Sequence, residues 1–141
     1  MRFKIAILIS AAAIGWIKNG YGFDLNKELE YSANIYNLNA NSVKAVAEIE
    51  SGRRCGAKNG RAKGVMQVQK GAALSVGGPW PFKNCKEEIE AGVKYLGAAI
   101  RKGGDGCKGF TLYNAGINSK MHCSSYGRKV QRMKRKIEQE K

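Results

Sequence analysis

The chain has 141 residues, 43% of them hydrophobic, with 25 Lys and Arg against 11 Asp and Glu, a formal net charge of +14. That length suits one domain with a real core and argues against two, so a single site is expected to do the work. The charge asks for an anionic polymer as partner.

Residues 1–22 have the layout of a secretory signal. Arg2 and Lys4 make the start positive, residues 5–17 are apolar, and the small residues Gly20 and Gly22 follow, with cleavage expected after Gly22. The apolar stretch falls short of the roughly 20 residues that span a bilayer, so export is expected rather than a retained anchor. Loss of this segment removes Arg2, Lys4 and Lys18 and no acid, which leaves a strongly basic exported chain. Such a protein meets membrane surface and cell-wall carboxylates and phosphates before it meets DNA. Wall polymer, not nucleic acid, is the expected partner, with no stable membrane span after cleavage.

Cys55, Cys85, Cys107 and Cys123 all lie in the exported part and are even in number, as two disulfides in an oxidising compartment require. Three connectivities are open; Cys55 with Cys85 and Cys107 with Cys123 is preferred because each pair closes a loop of moderate length. With no Cys-x-x-Cys pair and His122 the only histidine, a zinc site is the weaker reading and no metal is expected.

Residues 24–36 place Leu25, Leu29, Ser32, Ala33 and Tyr36 at near-helical spacing, predicting an amphipathic first helix. Residues 37–41 break it, and Asn39 or Asn41 can cap the next helix. That second helix ends at Glu50-Ser51-Gly52, where Gly52 suits the left-handed residue that closes a helix. At about 100° per residue Glu50 lies only ~20° from Val43, whereas Glu48 lies ~140° away. Glu50 therefore shares the apolar face with Val43, Val46 and Ala47. Burial disfavours the charged form of a carboxyl, and a carboxyl protonated at neutral pH can give its proton to a leaving group. Glu50 is the candidate catalytic residue.

Residues 52–64 are rich in glycine, lysine and arginine and read as an exposed loop. Residues 64–69 alternate apolar and polar side chains, predicting a short extended segment or hairpin arm. Residues 71–83 contain Gly77-Gly78-Pro79-Trp80-Pro81-Phe82, a stiff aromatic loop in which Trp80 either stacks on a sugar ring or anchors the loop to the core. Ile89, Val93, Leu96 and Ile100 predict a core helix over residues 87–100, and a glycine-rich turn containing Asp105 follows. Its glycine spacing fits neither nucleotide fingerprint and no strand precedes it, so no phosphate loop and no cofactor are expected. A helix over residues 110–115 carries Tyr113 and Asn114. The basic end, residues 126–141, sets Val130, Met133 and Ile137 at helical spacing between cations, predicting a terminal helix that caps the core.

Ala47-Glu48-Ile49-Glu50-Ser51-Gly52, then Gly64-Val65-Met66-Gln67, then Ala91-Gly92-Val93-Lys94-Tyr95-Leu96, then Tyr113-Asn114-Ala115-Gly116, then Tyr126 with Val130, resemble in that order the soluble lytic transglycosylase (SLT domain) family. The resemblance covers residues 38–130. It implies a mainly α, lysozyme-like (goose-type) domain over residues 23–141, with a short β-hairpin or extended segment after the catalytic helix. It also implies a monomeric lyase that cleaves the glycan strands of peptidoglycan.

Most glycosidases pair two carboxylates. The family mechanism needs one: Glu50 protonates the glycosidic oxygen between N-acetylmuramic acid and N-acetylglucosamine, then takes the proton of the muramyl C6 hydroxyl as that oxygen closes a 1,6-anhydro ring. By motif position Gln67 would hold substrate or backbone beside Glu50, Tyr113 and Tyr126 would orient the carboxyl or sugar, and Met66, Asn114 and Trp80 join them as substrate-binding candidates. Three positions depart from the family pattern. The assisting serine expected before Gly64-Val65-Met66-Gln67 is not there, the nearest positions being Lys58 and Asn59; Glu88 replaces an asparagine before the Ala91–Leu96 motif; and Gln69 stands where methionine is usual. Small exported members of the family open the wall locally for secretion, conjugation, pilus or phage machines, whose components would then be partners. The alternatives are a hydrolytic muramidase on the same fold, with Asp105 activating water, and a non-catalytic wall-binding assembly protein.

Overall fold

The computed structural model describes residues 22–141, so the signal reading of residues 1–22 lies, Gly22 apart, outside the described residues. In chain order the elements are α1 Leu25–Ile35, α2 Ala40–Ser51, β1 Lys58–Asn59, β2 Ala62–Lys63, α3 Lys70–Ser75, α4 Cys85–Gly103, α5 Cys107–Ala115 and α6 Ser125–Gln139. The fold is mainly helical with one small antiparallel sheet, consistent with the lysozyme-like fold expected. Among the described residues no helix is long and apolar enough to cross a membrane.

Short polar side chains start four of the helices. Asp24, Asn39, Asn84 and Ser124 each accept a hydrogen bond from a backbone N–H of the first turn, groups that have no partner inside the helix. Of the two capping candidates for α2, Asn39 does the capping, accepting from Asn41 N at 2.8 Å. Gly52 ends α2 in the left-handed conformation with φ 64°.

The core is built round α2, whose Val43, Val46 and Ala47 are inaccessible to solvent, together with Leu29 of α1, Ile89, Val93 and Leu96 of α4, Phe110 and Leu112 of α5 and Val130 of α6. Helix α6 runs antiparallel to α2. Tyr126 near its start reaches Glu50 at the end of α2, while Lys134, further along, binds Asp105, which accepts from Ser42 at the start of α2.

The hairpin lies earlier than the alternation of residues 64–69 predicts. Its strands pair Lys58 with Lys63 and Asn59 with Ala62, inside the segment expected to be open loop. Residues 64–69 instead fold back, with Gly64 at φ 84° and Gln67 at φ 51°, and only Val68 makes a bridge, to Lys63. Val65, Met66 and Val68 are buried because this turn is tucked under α4, where Met66 packs on Gly92. A period of two predicts a strand, but the burial of a folded turn produces it equally well. Helix α3 was not anticipated, α4 extends beyond residues 87–100, and α5 begins at Cys107, inside the glycine-rich segment.

Two disulfides, Cys55–Cys85 and Cys107–Cys123, join the pairs preferred from loop length, with Cα separations of 5.4 and 5.2 Å. Beside the first, the buried carboxyl of Glu88 accepts from the N–H of Gly56 at 3.1 Å and of Val65 at 2.9 Å, tying both ends of the hairpin segment to α4. Only glycine fits at position 64, where a Cβ would come within 2.7 Å of Glu88 Cγ on a left-handed backbone. The residue that departs from the family asparagine thus acts as a clamp. Glu88→Ala would leave the Val65 N–H buried without a partner and is expected to lower unfolding free energy by about 2–4 kcal/mol in urea titration, with Glu88→Gln losing less.

Candidate active site

Glu50 sits in the last turn of α2, partly buried, and its Oε2 accepts from Tyr126 Oη at 2.9 Å. Burial pushes the carboxyl pKa above its ordinary value; the Tyr126 hydrogen bond and the charge of Lys129 pull it part of the way back. Glu48, on another face of the same helix, is ion-paired with Arg53 at 2.9 Å. The two acids of the motif thus have different environments, as helical geometry requires.

A cleft of about 370 Å³ opens over Glu50. Asn59 of β1, Gln67, Tyr95 of α4, and Tyr113 and Asn114 of α5 line it with Glu50. A second hollow of about 430 Å³ shares Tyr95 and Gly116 with the first and reaches Asn118 and Ser119, so the groove continues past the site. Among the described residues, Glu50 is the only carboxylic acid on the cleft wall.

The backbone around the cleft is held by side chains of the same motifs. Ser51 is buried; its Oγ donates to Val65 O at 2.7 Å and accepts from Arg54 N at 2.9 Å, fastening the end of α2 to the turn that carries Gln67. Gln67 Nε2 donates to Gly64 O at 2.8 Å and Ala57 O at 3.1 Å, so this residue holds backbone. Two carbonyl partners also fix which end of the amide is nitrogen. Tyr113 Oη donates to Met66 O at 2.6 Å, and burial keeps the phenol protonated by raising its pKa well above the ordinary value. Its one proton is committed to that carbonyl and not to Glu50.

Of the residues singled out in the sequence, Gln67, Tyr113 and Asn114 line the cleft with Glu50, and Tyr126 reaches its carboxyl. Met66 and Trp80 do not come to the site. The Met66 side chain is wholly buried in the core, so it has no surface to offer a sugar. Trp80 packs edge-on against Phe82, ring centres 4.9 Å apart, and against the core, which makes it the loop anchor of the two roles considered. Asp105 is spent on Ser42 and Lys134 at the far end of α2, about 12 Å along the helix axis from Glu50, and cannot activate water there. Asn59, Tyr95 and Ser51 join the site beyond the residues that the sequence singles out. Tyr95 and Ser51 stand inside the quoted motifs, which was the available signal, while Asn59 needed the hairpin to bring it in. Cys55 and Cys85 lie beside Glu88, but their sulfurs are bonded to each other and offer no thiolate to a metal.

The phenol of Tyr126 stabilises the charged form of Glu50 by donating to it, so Tyr126→Phe is expected to raise the Glu50 pKa further. Carbon-detected NMR titration of the glutamate carboxyls reads this directly, and a midpoint that stays put or falls would contradict the assignment.

The chain matches the family model described as Transglycosylase SLT domain over residues 28–136. Comparison with curated proteins gives no significant match. The match spans α2, the hairpin, the turn that carries Gln67, α4, α5 and most of α6, and so includes Glu50, Asn59, Gln67, Tyr95, Tyr113, Asn114 and Tyr126. The chain belongs to the transglycosylase SLT domain family, and that membership implies a peptidoglycan lytic transglycosylase.

Proposed function

We propose that the chain cleaves the bond between N-acetylmuramic acid and N-acetylglucosamine with Glu50 as its single general acid and base. The observation that carries this reading is the carboxyl of Glu50, the one acid on the cleft wall among the described residues and with its pKa raised by burial. Protonated Glu50 gives its proton to the glycosidic oxygen as the bond to the muramyl anomeric carbon breaks. The muramyl C6 hydroxyl attacks that carbon and its proton passes to the Glu50 carboxylate. The products are a free hydroxyl on the leaving sugar and a 1,6-anhydro ring; Glu50 is again protonated and no water is consumed. Because nucleophile and electrophile belong to one sugar, effective concentration replaces a bound water and a second carboxylate.

In this mechanism Tyr126 steadies the carboxylate formed in the first half and orients it for the second. Gln67 and Tyr113 act by holding the backbone that shapes the cleft, and Asn114 and Asn59 offer amides to the sugar. Of Lys58 and Asn59, the two positions nearest to where the family carries serine, Asn59 is the one that lines the cleft. A peptidoglycan substrate and two disulfides fit a protein that works outside the cytoplasm, after removal of residues 1–22, as a single domain from residue 23. Its size and charge fit local opening of the wall for an envelope-spanning machine. A hydrolytic reading lacks its second acid, since Asp105 is engaged elsewhere.

Mass spectrometry of digested peptidoglycan is expected to yield 1,6-anhydro-muramic ends; reducing muramic ends in their place would overturn the transglycosylase reading. Glu50→Gln is expected to slow release of muropeptides by about 10²- to 10⁴-fold, and unchanged release would remove Glu50 from the mechanism. The acid form does the first step, so kcat/KM is expected to decline as pH rises through the raised Glu50 pKa. In Tyr126→Phe that decline moves to higher pH, with a rate lowered roughly 10- to 100-fold, the scale of one hydrogen bond to a charged group.

A further inference from the structure

Helix α6 divides into two faces. Val130 and Ile137 are buried and Tyr126 and Met133 pack against the core, while Lys134 is tied to Asp105. The remaining arc, about 120° wide on a helical wheel, carries Arg128, Lys129, Arg132, Arg135 and Lys136, all exposed. Among the described residues none of the five forms an ion pair, although Arg128 donates to the Cys123 carbonyl at 2.9 Å. Lys129 lies one turn beyond Tyr126 and close enough to Glu50 to act on it electrostatically. From there to Lys136 the row runs about 10 Å along the helix, towards the start of α2. Five cations held this close repel one another, and an anion with several charges at similar spacing would relieve that repulsion.

We propose that this row binds the free carboxylates of the peptide stems carried by the glycan strand that lies in the cleft. The inference rests on the reading of the chain as a peptidoglycan enzyme, and it adds that the stems, as well as the sugars, are recognised. Three features favour stems over other polyanions. The row begins beside Glu50, so a strand in the cleft would bring its own substituents to it. The apolar face of α6 is used up in the core, so the helix has nothing to insert into a lipid surface. Its exposed arc carries no aromatic side chain on which a nucleic-acid base could stack.

The test is co-sedimentation of the full chain carrying Glu50→Gln with purified sacculi, with sacculi whose stem carboxylates have been converted to neutral amides by carbodiimide and ammonia, and with vesicles containing anionic phospholipid, at low and at physiological ionic strength. Untreated sacculi are expected to bind roughly tenfold more tightly than amidated ones at low salt, and Arg132→Gln/Arg135→Gln/Lys136→Gln is expected to erase that difference while leaving binding to amidated sacculi unchanged. Arg132→Lys/Arg135→Lys keeps the charge and is expected to keep the preference, which separates loss of charge from loss of fold. Equal loss on amidated and untreated sacculi, no loss on either, or binding to vesicles as tight as to sacculi would each overturn the proposal. Soluble fragments released during the assay by the Glu50→Gln chain would count against Glu50 as the catalytic acid instead, so the two failures are distinguishable.

Discussion

Everything at the cleft depends on the partial burial of one carboxyl. A glutamate in the last turn of a helix would ordinarily be solvated and ionised; Glu50 holds its proton more tightly because α2 is packed against α6 and the carboxyl is partly buried at the base of the cleft. The phenol of Tyr126 then performs two tasks with one hydrogen bond. It gives the buried carboxylate a partner, and it orients the carboxyl with respect to the cleft. Without that donor the charged form of the carboxyl would lose a stabilising partner and its pKa would stand higher still.

Four attachments keep that geometry in place, and they form a closed circuit. Ser51 fastens the end of α2 to Val65, Gln67 fastens its own turn to Ala57 and Gly64, Glu88 fastens Gly56 and Val65 to α4, and the Cys55–Cys85 disulfide fastens the same loop to the start of α4. Tyr113 completes the support by bonding the Met66 carbonyl from α5. The circuit explains how a segment with few apolar residues, 52–64, can carry Asn59 to the cleft wall. Its order comes from buried polar groups whose partners are satisfied, and the high cost of leaving any one of them unpaired gives the loop its definition.

Electrostatics outside the cleft follow from the imbalance in composition. The acids of the chain are largely engaged: Asp105 with Ser42 and Lys134, Glu48 with Arg53, Glu30 with Lys44, Glu90 with Lys94 and Glu88 with backbone. The excess cations are left on the surface, and one group of them is lined up on α6. A field of this sign concentrates a polyanionic substrate near the site before any specific contact forms.

Periodicity along residues 43–52 was sufficient to turn Glu50 inward and Glu48 outward, because a helix converts spacing directly into direction. The same logic located α1, α4 and α6, and the ordered motifs identified the family. The pattern of residues 64–69 misled for a physical reason: alternation records which side chains are buried, and a left-handed turn at Gly64 and Gln67 buries the same ones that a strand would. Three further matters belonged to the tertiary structure alone. That Trp80 anchors its loop, that Asp105 is held at the wrong end of α2, and that Asn59 reaches the cleft all depend on which segments meet, and contacts between residues far apart in the chain leave no local periodicity to read. Sequence by itself determined which glutamate would turn inward and which helix would present it; the packing of α6 and the turn against α2 decided how that carboxyl is buried, what it bonds to and which neighbours share its cleft.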